Sequence, residues 1–365
     1  MRVIQRRWLL PAAAALTLAV ALPACGSSDS DSGSDSKSTA AAGTTASSGT
    51  KKVDKKTIGW VDATLAGSFQ QRIYQTGKEA LERVGWDVKT VDTKGDPATA
   101  ASGVSSLVNS GVDALILSAV TPSTARAGLL QAKAKGIPVL MVGSAVDNSL
   151  NESLDLTYIG ENEESLTKPL GDLMVKQLKQ GDEVGILTTT ALDSAVRRTK
   201  ALKTQLEGAG IKVVPPLETG FDFSAGVKNA STLLNQHKDL AAIVPIFDLW
   251  TAATVSAIKS AKSDAKVYSF YADAVNTPLM RKNPKIIDGL TDGTMGSSPL
   301  VAIDKLLAHF ADGAKIDDSG AETYEYDSIT EDNLPPGNQN GPVSPEDTTK
   351  PYYDKWATEY GITGS

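Results

Sequence analysis

The chain carries one cysteine and two histidines in 365 residues, and that scarcity removes several chemistries at once. Cys25 alone cannot form an intrachain disulfide or supply a zinc set. His237 and His309 fall on predicted helices away from strand ends, where surface or structural roles suit them better than catalysis or metal binding. No GxxxxGK[ST], HExxH or GxSxG is present. No metal and no cofactor is therefore expected, and the chain is not expected to be an enzyme. The net charge is −7, with no basic run outside the extreme N-terminus. Nucleic acid is accordingly not an expected partner. Nothing after residue 50 is long and apolar enough to span a membrane.

The N-terminus reads as a delivery segment. Arg2, Arg6 and Arg7 precede an apolar run over 8–22, interrupted by Pro11. That run is shorter than the ~20 residues of a spanning helix and fits a secretory signal. Leu22-Pro23-Ala24-Cys25 resembles the lipobox of bacterial lipoproteins, with Pro23 departing from the usual residue. The resemblance implies a signal peptide over 1–24 and a lipidated Cys25 as the mature N-terminus. It would also put the only thiol to use. Acyl chains contribute ~0.8 kcal/mol per buried methylene, so several would hold a domain at the membrane. The expected location is extracytoplasmic, anchored to the outer face of the cell membrane. The Ser, Asp, Gly, Thr and Ala that follow cannot offset ordering entropy, so 25–54 is expected to be a disordered tether.

The body alternates strand and helix signals, beginning with TIGWVDATLAGSF over 57–69. Ile58, Trp60 and Val61 are β-prone, whereas Phe69, Ile73, Gly77, Ala80, Leu81 and Val84 recur at helical spacing. Further strands are predicted over 86–91, 112–117, 137–142 and 156–159, with helices over 97–110 and 122–135. The pattern then restarts. Helices are predicted over 161–179, 194–209, 224–237, 249–261 and 299–310, and strands over 183–188, 211–214, 241–244, 266–271 and 286–291. Strand, helix, strand at short intervals means parallel pairing with right-handed crossovers. The fold class expected is α/β, two doubly wound Rossmann-like lobes in tandem, with ligand-binding turns at the carboxyl ends of the strands. From residue 335 the prolines and glycines predict a loop or tail over 335–365, its Tyr352, Tyr353, Trp356 and Tyr360 docking on the body.

Several segments, in order and spacing, resemble the periplasmic substrate-binding proteins of the ribose and galactose type, which feed ABC importers. They are 64–69, Asp96-Pro97-Ala98, Gly111-Val112-Asp113-Ala114-Leu115-Ile116, Gly136-Ile137-Pro138-Val139, Asp193-Ser194-Ala195 and Phe221-Asp222-Phe223. The similarity covers about 56–330. It implies three hinge crossings, near Gly160, Asp292 and residue 319. The N-terminal lobe would be 55–160 with 293–318, and the C-terminal lobe 161–292 with 319–334. The partners implied are a small-molecule ligand and the transmembrane subunits of an ABC permease, with the receptor a monomer. A ligand sensor for a membrane kinase or chemoreceptor would use the same fold. Sugar-responsive repressors share it too, but carry a helix-turn-helix where this chain has a signal and tether.

The same resemblance nominates the site. Phe69 aligns with an aromatic that stacks on sugar, although its spacing fits a core position equally. Gln70 stands where a second aromatic is usual. Phe221 aligns with another pocket aromatic. Arg197 or Arg198 would stand in for the sugar-gripping arginine, or the two form a solvated pair. Phe247 replaces an amide while Asp248 persists, either as a ligand contact or as a helix cap. Tyr271 occupies the place of a ligand-binding aspartate, with Asp273 two residues on, and Asp292 falls at a hinge. Gly143-Ser144 replaces an acidic-basic pair, so Ser144 joins the candidates. With charged grips thinned and aromatics added, the expected ligand is a monosaccharide or polyol first, and a less polar aromatic or nucleoside-like solute second.

Overall fold

The structure is a computed structural model, and it describes residues 50–143, 150, 153–317, 324–337 and 339–364. Cys25, Ser144, residue 319, the expected signal and most of the expected tether lie outside the described residues.

The first sheet is built from β1 (Thr57–Asp62), β2 (Asp87–Asp92), β3 (Ala114–Ser118), β4 (Val139–Val142) and β5 (Leu156–Ile159). All its pairings are parallel, in the order β2-β1-β3-β4-β5. The connecting helices are α1 (Ser68–Val84), α2 (Pro97–Asn109) and α3 (Arg126–Ala134). Every residue of β3, β4 and β5 is buried, which is why these strands read as continuous apolar runs rather than alternations. Helix α1 lies down on the sheet at Gly77, where an added Cβ would come within 2.5 Å of the Trp60 ring. Only glycine permits that approach. Because β2 and β3 flank β1 on opposite sides, a crevice opens beyond the carboxyl ends of β1 and β3.

The second sheet holds β6 (Glu183–Thr188), β7 (Lys212–Val213), β8 (Leu217–Glu218), β9 (Leu240–Pro245), β10 (Lys266–Phe270), β11 (Ile287–Gly293) and β12 (Tyr326–Ile329). The order is β12-β11-β10-β9-β6-β7, with β8 also on β6, and β12 is antiparallel to β11. Its helices are α4 (Glu163–Gln177), α5 (Asp193–Gly208), α6 (Phe223–Gln236), α7 (Thr251–Ala261) and α8 (Asn276–Lys282). The strand expected over 211–214 is β7, only two residues long, and Pro215 and Pro216, which offer no N–H to a ladder, separate it from the unpredicted β8. After β11 the chain returns through α9 (Ser298–Asp312), which packs on α1 of the first lobe. The α/β fold with two lobes is as the sequence predicts.

The C-terminal segment corrects the expected tail, since most of it is a helix, α10 (Pro345–Tyr360). Proline reads as a breaker in sequence, but Pro345 sits in the first turn, where its missing N–H costs nothing. Ser344 caps that turn by accepting from the Asp347 N–H at 3.0 Å. Trp356 is fully buried, and its Nε1 donates to Asp304 Oδ1 of α9 at 2.9 Å. Before α10 the chain holds the second lobe. Pro335 O accepts from Arg281, Asn340 Oδ1 accepts from the Ala274 N–H, and the Gly341 N–H donates to Ala272 O at 3.1 Å. Residues 334–337 and 339–344 thus lie on a further passage between the lobes. The end of the expected tether is also tied down: the Lys51 N–H donates to Glu359 O at 2.9 Å, and Lys51 Nζ pairs with Asp312.

Candidate functional site

The strand ends of both lobes face one cleft. From the first lobe come the turn after β1, with Phe69 and Gln70 at the start of α1, and Gly143 after β4. From the second come Arg198 on α5, Phe221 before α6, Phe247 and Asp248 after β9, and Tyr271 after β10. These residues line a single cavity of about 20 Å³, which holds roughly one or two waters. An ordinary small-molecule pocket has roughly 300–1,000 Å³.

The first-lobe wall is largely self-satisfied. Gln70 Nε2 donates to Asp62 Oδ1 and Ser118 Oγ, both at 3.3 Å. Asp62 also accepts from Trp60 Nε1 at 3.4 Å and from the Thr64 N–H at 3.1 Å. Burial pushes the Asp62 carboxyl up to about 7, against the pull of these donors. Helix α1 has no side chain of its own at its N-cap, Gly67. Asp248 takes that role from across the cleft, accepting from the Phe69 N–H at 3.1 Å. A Cβ on Gly67 would stand 2.9 Å from Asp248 Oδ1, so a larger residue would force the cap away.

The second-lobe wall is charged and aromatic. Arg198 is buried; its Nε donates to Glu163 Oε2 at 2.5 Å, and its Nη2 to Glu161 Oε2 at 2.8 Å and to the Tyr271 hydroxyl. Its guanidinium also lies 5.2 Å from the ring centroids of Phe247, Phe270 and Tyr271. Burial raises both glutamates, Glu161 to about 7, while Arg198 pulls them down. Asp273 caps the start of α8, accepting from the Val275 and Asn276 N–H groups at 2.8 and 2.7 Å. Asp248 and Asp273 are in side-chain contact, and burial with mutual repulsion holds Asp273 well above the usual carboxylate range.

Phe69 meets Tyr271 directly, ring centroids 3.7 Å apart and planes within 2°. Tyr271 has φ +67°, a left-handed conformation that costs a bulky residue about 1–3 kcal/mol. Phe221 packs on Gly95 and Trp250 at the cleft edge. Asp292 is engaged on both oxygens by Arg72, at 3.0 and 3.1 Å, and accepts from the Ala272 and Gly293 N–H groups. That bidentate pair ties α1 to β11. Asp273 and Asp292 are buried behind the cavity lining, so the structure brings seven of the candidates together around it and puts these two one layer back.

Arg197 points away. It is exposed and lines an outer groove of about 980 Å³ between α4 and α5, which is the larger depression but, of the strand ends, reaches only that of β5 at Gly160 and Glu161. Glu161 and Glu163 stand between groove and cleft. Sequence reasoning missed Arg72, Glu161 and Glu163. Arg72 follows Phe69 by three residues on one helix, so the two share a face. Two glutamates flanking Asn162 directly after β5 were the other available signal. Among the described residues, no group of three or more His, Cys, Asp or Glu side chains is placed to hold a metal ion.

The two lobes face one strand-end cleft, and the chain passes between them at 159–163 and 293–298. Residues 58–304 match the periplasmic binding protein domain, and the chain belongs to that family. It is similar to the D-ribose/D-allose-binding protein of Pseudomonas aeruginosa, with 27% identity over 57% of this chain and 67% of that protein. It is also similar to the ribose import binding protein of Bacillus subtilis, with 25% identity over 62% of this chain and 72% of that one. A galactofuranose binding protein superposes with TM-score 0.67 and 18% identity, over 84% of this chain and all of that one. The Caulobacter myo-inositol binding protein gives 0.68 and 15% identity, over 76% of this chain and 94% of that one.

Proposed function

We propose that this chain is the extracytoplasmic receptor of an ABC importer, closing its two lobes on a sugar or sugar-like polyol and delivering it to the permease. The observation that carries the reading is the cleft itself: seven residues nominated from sequence as ligand contacts, drawn from both lobes, line one cavity. The relatives named for ribose and allose support the ligand class. A ligand seated between Phe69 and Arg198 would have its full set of contacts only with the lobes together, and closure is then what the permease reads.

The test is a thermal-shift screen of D-ribose, D-allose, myo-inositol and galactofuranose. A ligand at a hundredfold excess over Kd adds about 2.7 kcal/mol of stability, a shift that is easily read. No shift with any of them would overturn the sugar reading. Recovery of the bound sugar unaltered separates capture from turnover.

Four aromatic rings at the cavity, Phe69, Phe221, Phe247 and Tyr271, favour a second reading in which the solute is flatter and less polar. Nucleosides and aromatic acids belong in the same screen for that reason. The anchor at Cys25 is part of the proposal, the receptor acting as a monomer held by its lipid. A Cys25→Ala chain should leave the membrane fraction, and unchanged retention would refute the anchor.

A further inference from the structure

We propose that Tyr271 is a tethered occupant of the ligand site, a side chain that takes the place of a sugar ring and latches the lobes together until ligand displaces it. The inference rests on the reading of this cleft as the ligand site.

Three features of Tyr271 support it. Its ring lies flat on Phe69 across the cleft, centroids 3.7 Å apart and planes within 2°, as a sugar's C–H face would lie on that aromatic. Its hydroxyl accepts from Arg198 Nη2 and donates to Glu161 Oε2 at 3.2 Å, the paired grip that a ligand hydroxyl takes from an arginine and a carboxylate. It is buried, and with it in place the cavity is only about 20 Å³. Ring and hydroxyl together reproduce one hydroxylated ring in the cleft.

The contact is also built to be given up. At 3.7 Å with parallel planes the rings have little lateral offset, the arrangement that ring quadrupoles favour least. The backbone that aims the phenol is in the left-handed region at φ +67°. Its peptide is held there from outside, by the Tyr271 N–H donating to Thr291 O at 2.6 Å and by Asn276 Nδ2 donating to Tyr271 O at 3.1 Å. Strain that the surroundings maintain around a site side chain marks a position under functional constraint.

A latch of this kind taxes affinity. If the ligand-competent form is populated at about one part in ten, the apparent Kd is about tenfold weaker than the intrinsic one. Tyr271 thereby sets which sugars succeed, since a ligand must match both the ring contact and the hydroxyl grip that it displaces.

The experiment compares the full-length chain with Tyr271→Ala and Tyr271→Phe by small-angle scattering without sugar, and by calorimetric titration with D-ribose and D-allose. Without sugar, Tyr271→Ala should expand relative to the wild type, and Tyr271→Phe, which keeps the stack but loses the hydroxyl, should fall between them. Tyr271→Ala should contract again on adding sugar and bind it about tenfold more tightly. A sugar-free Tyr271→Ala as compact as the wild type overturns the proposal. So does weaker sugar binding by Tyr271→Ala, which would make the phenol a wall of the site rather than its occupant. Should Tyr271→Ala fail to fold by circular dichroism, Tyr271→Phe decides alone, and no expansion overturns the proposal. If no chain binds either sugar, the sugar reading falls while the scattering comparison still decides the latch.

Discussion

The two walls of the cleft are built on different principles. The first-lobe wall is neutral at its surface and closed on itself: Gln70, Asp62 and Ser118 satisfy one another, and the end of α1 offers backbone N–H groups. The second-lobe wall buries Arg198 among Glu161, Glu163, Phe247 and Tyr271, with Asp248 and Asp273 alongside. One wall supplies shape, the other charge. Changes of ligand within this architecture are therefore expected to be written mostly in the second lobe, whose residues depend on one another and on what faces them.

Arg198→Met should break that asymmetry most severely. It leaves two buried carboxylates without their cation, at a cost of about 3–5 kcal/mol in urea denaturation at pH 7. The cost should shrink in acid as the glutamates become protonated; an equal loss at pH 5 and pH 8 would contradict the charge account. Asp62→Asn examines the self-satisfied wall. The folded pKa of Asp62 is about 7, above the ~3.9 of an unfolded aspartate. The folded chain therefore keeps a proton that the unfolded chain has lost, and stability falls as pH rises from about 4 to about 7. The slope from this group is at most ~1.4 kcal/mol per pH unit. In Asp62→Asn this slope should vanish, as read from denaturation midpoints across that range. The smallest effect is expected where the walls touch. Asp248→Ala removes the cap that crosses the cleft and should cost about 1 kcal/mol. It should also bring Asp273 back toward an ordinary carboxylate by removing its neighbouring charge, a change that NMR titration would show.

Much of the fold was legible in sequence because both faces of each sheet are covered. Strands such as β3 and β4 are then apolar throughout, and the helices between them carry one apolar face, as α1 does through Phe69, Ile73, Ala80 and Leu81. The elements that escaped are short or held by partners far away in sequence: β8, β12, α8 and α10. Helix α10 is decided by Trp356 finding Asp304 and a buried site on α9, which its own prolines do not announce. The candidate site was legible to the extent that strand ends are. Arg72 and Asp292 are 220 residues apart, and no local pattern pairs them. Between Arg197 and Arg198 only the phase of α5 chooses, and it buries the second.

The passage through 334–337 and 339–344 leads into α10, whose end meets the start of the body. Lys51, at the start of the body, is bonded to Glu359 near its end, and Arg83 Nη2 holds Thr363 O at 2.8 Å. Both ends of the described body are thus fastened to the first lobe. A pull applied at Lys51 or Thr363 would be taken up by α1, α9 and α10, which all pack in the first lobe. In the closure proposed above, the first lobe would be the stator and the second the moving jaw.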